Sequence, residues 1–225
     1  MKAIILNISA WSILPIMDGM AKYLSSEIPV LQVVWGRYFF MVLLSLPITF
    51  FFFNKYIKWS SNIQIQLIRS LFLFLSTVLF FYAISILPLA DSLTLMFSAP
   101  IIVTVLSAFI LKEKVGLRRW IAVFLGFIGA LIVIRPGFAE INLATVSAIG
   151  AGFSYALYII STRKLSSIDN PLLTLIFTGL SGAIVISLIV PFIWVSLNYT
   201  QWLLLIALAS AGTMGHLLLI LSLNY

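Results

Sequence analysis

The 225-residue chain contains no cysteine and has few charged residues. Without cysteine it can form neither disulfides nor thiolate metal sites. Charged residues make up 8% of the chain and hydrophobic residues 63%, whereas soluble domains are about 25% charged. A surface so poor in charge cannot face water on all sides, so we expect most of it to face lipid.

Continuous apolar runs, without the alternation of barrel strands, cover most of the sequence. In lipid the backbone must satisfy its own hydrogen bonds, and runs of about 20 apolar residues suit helices. The sequence therefore predicts an all-α, polytopic transmembrane helical bundle. Its eight predicted spans are 4–23, 30–53, 65–87, 92–111, 119–136, 143–162, 171–195 and 202–223.

The basic residues are distributed unevenly between the two sides of this bundle. With the N-terminus in the cytoplasm, ten of the thirteen lie inside and three outside, as the positive-inside rule favours. The inner set is Lys2, Lys55, Lys58, Arg69, Lys112, Lys114, Arg118, Arg119, Arg163 and Lys164; the outer set is Lys22, Arg37 and Arg135. We predict a multi-pass protein of the bacterial inner membrane, whose net charge of +7 reflects topology and not nucleic-acid binding.

Two short stretches of the chain resemble each other. Residues 22–31 read KYLSSEIPVL and residues 164–173 read KLSSIDNPLL. An odd number of predicted spans separates them, so the second copy is inverted, as in many secondary transporters. We predict two inverted five-helix repeats, 1–137 and 138–225. The second is incomplete, with about eight of ten helices present; the alternative is a genuine eight-span protein.

The most specific stretch is 88–137. It contains Pro88-Leu-Ala, Ser98-Ala-Pro100, Lys112-Glu113-Lys114, Arg119-Trp120, Gly126-Phe-Ile-Gly129 and Arg135-Pro136-Gly137. This pattern resembles the end of the first repeat in EamA-type carriers of the drug/metabolite transporter superfamily. With Asp directly after Pro-Leu-Ala, the motif is similar to that of the branch that contains S-adenosylmethionine-type uptake carriers. The resemblance implies ten helices, cytoplasmic termini and transport of small organic solutes without ATP hydrolysis.

An ionisable residue inside a span is a functional candidate, because burying it in hydrocarbon is costly. At helical spacing, Asp18 shares a face with Asn7, Trp11, Pro15 and Lys22. We predict that this stripe faces the interior of the bundle. Asp18 either contacts a substrate there or pairs with Lys22.

Four more residues are candidates for the same site. Arg37 lies about seven residues into the second span, at a depth similar to that of Asp18. It either pairs with Asp18, as an outer gate or a zwitterion site, or snorkels to the interface. His216, the single histidine, either carries a proton or bonds a neighbouring helix. Tyr155 and Tyr158 line a cavity or pack in the core.

Other residues are assigned structural roles. We predict that Asp91 caps the fourth span, with a substrate contact as the alternative, and that Pro100 breaks that span near its middle. Three glycine pairs are predicted to allow close helix contacts. They are Gly126/Gly129, Gly179/Gly182 and Gly212/Gly215.

The sequence shows no catalytic or cofactor motif, so we predict neither an enzyme nor a cofactor, metal or nucleic-acid partner. The main hypothesis is a secondary transporter that moves an amino-acid-like or nucleoside-derivative solute by alternating access. Coupling to a proton or ion and homodimerisation stay open. The alternative is a non-transporting membrane scaffold or a degenerate remnant. The candidate substrate-binding residues are Trp11, Asp18, Arg37, Tyr155, Tyr158 and His216.

Overall fold

The computed structural model describes residues 1–53, 60, 62–110, 112, 115–134, 142–166 and 168–223. Within them the chain forms nine α-helices, one 3-10 helix and no strand. The helices are α1 (Lys2–Leu24), α2 (Val30–Phe53), α3 (Ile63–Ile86), α4 (Leu89–Met96), α5 (Ser98–Ile110), α6 (Leu117–Ile134), α7 (Leu143–Ser166), α8 (Pro171–Ile189) and α9 (Tyr199–Leu223); the 3-10 helix, Val190–Ile193, follows α8. The predicted inner charges at Lys55, Lys58 and Lys114, and the predicted outer charge at Arg135, lie outside the described residues.

Helices of membrane-spanning length confirm the predicted all-α, multi-pass bundle. In the described part of the chain, seven segments are long and apolar enough to cross a membrane, and α4 with α5 counts as one of them. α6 lies where the fifth span is predicted but is not among these seven.

The fourth predicted span is broken, but not at Pro100. α4 ends at Met96, Phe97 forms a turn, and Pro100 lies in the first turn of α5. Proline has no N–H, so Pro100 cannot donate to the carbonyl of Met96 four residues before it. The missing bond places the interruption one turn before the proline and not at it.

The helices pack in two groups. We call α1, α2 and α9 bundle A: α9 packs along both α1 and α2. We call α3 to α8 bundle B: α3 packs along α7 and α8, α7 also packs on α4 and α5, and α6 packs on α4 and α5. The main contact between the bundles is that of α2 with α8.

The contacts of the two bundles correspond. α1 packs on α9 as α7 packs on α3, and α2 packs on α9 as α8 packs on α3. Exchanging α1–α3 for α7–α9 therefore reproduces the pattern, which is the relation that an inverted repeat requires. The division of the chain into repeats 1–137 and 138–225 stays a prediction.

The helix ends lie in two sets. The near end of the protein holds the beginnings of α1, α3, α6 and α8, and the far end holds their other termini. Asn7 of α1 donates to Ser222 of α9 at the near end, 3.3 Å away. At the far end, Gln201 of α9 donates to Glu27, which follows α1, over 2.9 Å.

Arg69, which belongs to the predicted inner set of basic residues, is buried in α3 with no exposed surface. Its Nε donates to Gln66 Oε1 (3.1 Å), and its Nη2 donates to the Thr174 carbonyl (2.6 Å) and the Thr178 hydroxyl (2.9 Å). Gln66 Nε2 in turn donates to Asp169 Oδ2, 2.7 Å away. This network ties α3 to α8 at the near end of bundle B.

Two of the three predicted glycine pairs lie at close helix contacts. A Cβ on Gly182 would lie 2.5 Å from the Tyr38 ring, and one on Gly179 would lie 3.0 Å from Val42. Gly212 and Gly215 face α1 in the same way. The predicted close helix contacts at Gly179/Gly182 and Gly212/Gly215 are confirmed.

The prediction for Gly126 and Gly129 is wrong for the residues that the structure describes. Among the described residues, no atom outside the local turns of α6 lies within 4 Å of the position of a Cβ on either glycine. The sequence spacing is the same as in the other pairs, but α6 lies at the side of bundle B and presents this face to no helix.

We expect Gly182→Ala to lower the free energy of unfolding by about 1–3 kcal/mol, because the added methyl group overpacks a buried contact. Tyr38 is completely buried and has little room to move. The measurement is thermal unfolding of the purified protein in detergent.

The matched control is Gly126→Ala, which meets no neighbour. We expect it to be neutral or stabilising by up to about 1 kcal/mol, the helix propensity difference between alanine and glycine. Equal destabilisation by the two substitutions would contradict the close contact at Gly182.

Candidate functional site

A cavity of about 380 Å³ lies between α1, α9 and the helices α4 to α7. Its wall is mainly apolar, and includes Trp11, Met96 and Ile159. Asn7 and Leu223 also line it, so the cavity extends to the near end. The break between α4 and α5 forms one of its walls.

A smaller cavity of about 60 Å³ adjoins the first. The two share Trp11, Leu93, Met96 and Tyr155 as wall residues. The smaller one reaches a group of buried polar side chains on four helices. These are Asp18, Arg37, Ser76, Thr77 and His216.

Arg37 makes hydrogen bonds to two other helices. It projects from α2 and is 4% exposed. Its Nη1 donates to the Thr77 hydroxyl of α3 over 2.5 Å, and its Nη2 lies 2.8 Å from His216 Nε2 of α9. The guanidinium also lies 5.6 Å from the ring centre of Phe81. Arg37 therefore joins both bundles inside the protein, and the interpretation of a snorkelling side chain is wrong.

The contact with Arg37 determines the protonation of His216. A guanidinium only donates hydrogen bonds, so His216 Nε2 must accept. The imidazole is then neutral and carries its proton on Nδ1. That Nδ1 is buried and has no partner among the described residues.

Asp18 faces the same cavity from α1 and is 7% exposed. It does not pair with Lys22, whose Nζ instead donates to the carbonyls of Ile84 and Leu87 at the end of α3. No hydrogen bond joins Asp18 to Arg37 among the described residues, although both line the smaller cavity. The carboxyl group of Asp18 is thus an acceptor beside the arginine but not bonded to it.

An aromatic row connects the larger cavity with His216. The rings of Trp11 and Tyr155 are 6.1 Å apart, those of Tyr155 and Tyr158 are 5.7 Å apart, and those of Tyr158 and His216 are 5.9 Å apart. Trp11 and Tyr155 line both cavities. Tyr158 is fully buried behind them, 5.3 Å from the Arg69 guanidinium.

Several polar atoms around the smaller cavity are buried and have no partner among the described residues. They are Arg37 Nε, His216 Nδ1 and the hydroxyl of Tyr155. Buried polar groups without partners are rare and costly, and each calls for an explanation. A polar solute in the adjoining cavity would supply bonds to those that face it.

The structure brings five of the six candidate residues to the cavity walls and places Tyr158 directly behind them. Asp91 is not among the wall residues. It lies in the first turn of α4, where its charge suits the helix dipole, but it makes no capping hydrogen bond.

Sequence reasoning missed the contribution of α3. Ser76 and Thr77 form a hydroxyl pair in an otherwise apolar stretch of that span, and both line the smaller cavity. Two adjacent hydroxyl residues in the middle of a predicted span could have identified α3 as part of the site. Leu93 and Met96 carried none, because apolar residues of a membrane helix look alike in sequence.

We expect Thr77→Val to destabilise the protein by about 1.5–3 kcal/mol, because a buried charged donor then loses its acceptor. The same hydroxyl also lies 2.9 Å from Tyr38 Oη. The measurement is the unfolding midpoint of the purified protein.

The control is Thr104→Val. Thr104 is equally buried, and like Thr77 its hydroxyl donates to a carbonyl one turn earlier in its helix. The difference between the two variants measures the two bonds that Thr77 makes beyond its own helix, with Arg37 and with Tyr38. Equal midpoints would contradict these bonds.

Comparison with known proteins gives one family and several relatives. The family model of EamA-like transporters matches residues 1–135. An S-adenosylmethionine uptake transporter of Rickettsia prowazekii is 26% identical over 87% of this chain and 66% of its own length. A riboflavin transporter of Vibrio cholerae is 37% identical over 58% of this chain and 43% of its own length.

The chain thus spans about two thirds of the length of the first relative. One solved crystal structure covers 98% of this chain and 76% of its own, with a TM-score of 0.71 and 16% sequence identity. At that identity the likeness shows the fold alone.

Proposed function

Because the chain belongs to the EamA-like transporter family, we propose that it is a secondary transporter of a small organic metabolite. The solute is amino-acid-like or a nucleoside derivative, and it crosses the inner membrane by alternating access. The observation that carries this proposal is the cavity between the two bundles, which ends at buried polar atoms that have no partner in the described part of the chain.

The side chains around the smaller cavity favour a solute with both a cationic and an accepting group. The carboxyl group of Asp18 offers an ion pair to a cation, and charge-assisted hydrogen bonds are the strong ones. Arg37 Nε and His216 Nδ1 are donors without acceptors among the described residues. A carboxylate or carbonyl of the solute would accept from them.

The larger cavity suits the rest of such a solute. Trp11, Met96 and Tyr155 offer an aromatic and apolar wall, against which a flat ring system can pack. Its volume of about 380 Å³ falls within the usual range of about 300–1,000 Å³ for small-molecule sites.

The packing of the helices supports alternating access. Two bundles meet at the site, and rocking of one against the other is the usual motion of inverted-repeat carriers. We propose that the near end is cytoplasmic, as the basic residues favour. This conformation then faces the cytoplasm, because the larger cavity extends to the near end.

The test is ligand binding followed by uptake. S-adenosylmethionine, riboflavin, amino acids and nucleosides are screened for a rise in the unfolding temperature of the purified protein. For any solute that binds, we expect Asp18→Asn to weaken the affinity at least about tenfold, the effect of losing one charge-assisted bond. Uptake of the radiolabelled solute into proteoliposomes then tests transport.

The matched control is Asp91→Asn, which removes a carboxylate outside both cavities and should leave the affinity unchanged. Equal weakening by the two variants would contradict the role of Asp18. If no solute of these classes binds, the alternative of a non-transporting scaffold or remnant is supported instead.

A further inference from the structure

Lys22 joins the two bundles at the far end. It lies two residues before the end of α1, in bundle A. Its Nζ donates to the carbonyls of Ile84 and Leu87, the second over 3.0 Å, at the C-terminus of α3 in bundle B. The last carbonyls of a helix lack partners within it, and a cation there also suits the dipole. One ammonium group therefore bonds and neutralises the end of a helix in the other bundle.

Other contacts close the far end beside Lys22. The Gln32 amide of α2 pairs with both the N–H and the carbonyl of Val195, at 3.1 and 2.8 Å. Trp35 Nε1 donates to the Ser187 hydroxyl of α8 over 3.2 Å. Bundle A is thus hydrogen-bonded to bundle B, and to the segment that follows it, at three places on this side.

The near end has a different set of contacts. The bond from Asn7 to Ser222 stays within bundle A, and the bond from Arg69 to Thr178 stays within bundle B. The larger cavity is lined both by Ile159 of α7 and by Leu223 of α9. It therefore lies between the bundles and reaches the last described turn of α9.

Lys164 occupies the position on α7 that Lys22 occupies on α1. Both begin the similar stretches of sequence, and both lie two residues before the end of their helix. The counterpart of the α3 terminus is the last described turn of α9, around Leu221. Lys164 is exposed and makes no hydrogen bond to the described residues. The counterpart of the bond between Lys22 and α3 is therefore not formed between described residues in this conformation.

We propose that Lys22 and Lys164 are alternating closing contacts of the transport cycle. Lys22 on the carbonyls of α3 closes the far end, as in this conformation. Lys164 on the carbonyls of the last described turn of α9 closes the near end in the opposite conformation, after the larger cavity narrows. This inference rests on the proposed alternating access and identifies two positioning residues that do not line the solute cavities.

The test uses the absence of cysteine from the chain. Ser76→Cys places a single thiol at the wall of the smaller cavity, where the serine is 2% exposed. A membrane-impermeant maleimide is applied from each side, to spheroplasts and to inside-out vesicles, without added solute. In the Ser76→Cys parent we expect labelling from the near side and little from the far side.

Adding Lys22→Met removes the ammonium group but keeps an unbranched chain. We expect far-side labelling to rise at least about tenfold, the effect of losing a charge-assisted bond. Lys22→Arg keeps a cation and should restore the low rate. Lys164→Met is the matched control and should not raise far-side labelling, because the proposed contact of Lys164 stabilises only the conformation that is open at the far end.

Three results would overturn the proposal. They are unchanged far-side labelling in Lys22→Met, an equal rise in Lys164→Met, and a rise from both sides, which signals general loosening. Labelling needs no solute, so it separates the two proposals. If far-side labelling rises but the protein binds no solute, the role of Lys22 is supported and the proposed transport function is contradicted. If the protein takes up solute but the labelling is unchanged, transport is supported and the role of Lys22 is contradicted.

Discussion

The need to pair buried charges in a lipid environment shapes this protein, and two arginines show it. Arg69 has hydrogen-bond partners for its Nε and for both terminal nitrogens. Gln66 accepts from Arg69 and donates to Asp169, so it links the two charged side chains. It stabilises bundle B. Arg37 is equally buried, but its Nε has no partner among the described residues. Both arginines hold helices together, but only Arg37 also lines a cavity.

The position of Arg37 explains why the site lies between the bundles. Its guanidinium contacts Thr77 of bundle B and His216 of bundle A, so any rocking of one bundle against the other changes its surroundings. A solute that bonds Arg37 or Asp18 is therefore placed where it can favour one conformation over another, which is what a carrier requires. Lys22 makes a similar bridge, but at the far end and to a helix terminus.

Features that depend on the local chain were predicted well. The spans follow from apolar runs, since lipid leaves the backbone no other partners, and the break in the fourth span follows from a proline. Features that depend on a neighbouring helix were predicted less well. The pair Gly126/Gly129 has the same spacing as Gly179/Gly182, yet only the latter has a helix packed against it. Arg69 looks like a boundary charge in sequence because nothing local reveals the hydroxyls of α7 and α8.

Composition and charge distribution determined that this chain is a multi-pass helical protein, and the motif at 88–137 indicated its family. The sequence also identified Asp18, Arg37 and His216 as unusual, because ionisable groups are costly in hydrocarbon. Only the tertiary structure decided their partners. Asp18 turned out not to bond Lys22, and Arg37 bonds Thr77 and His216. The physical reason is that the cost of burial is a property of each residue, whereas hydrogen bonds depend on which helices meet and at what depth.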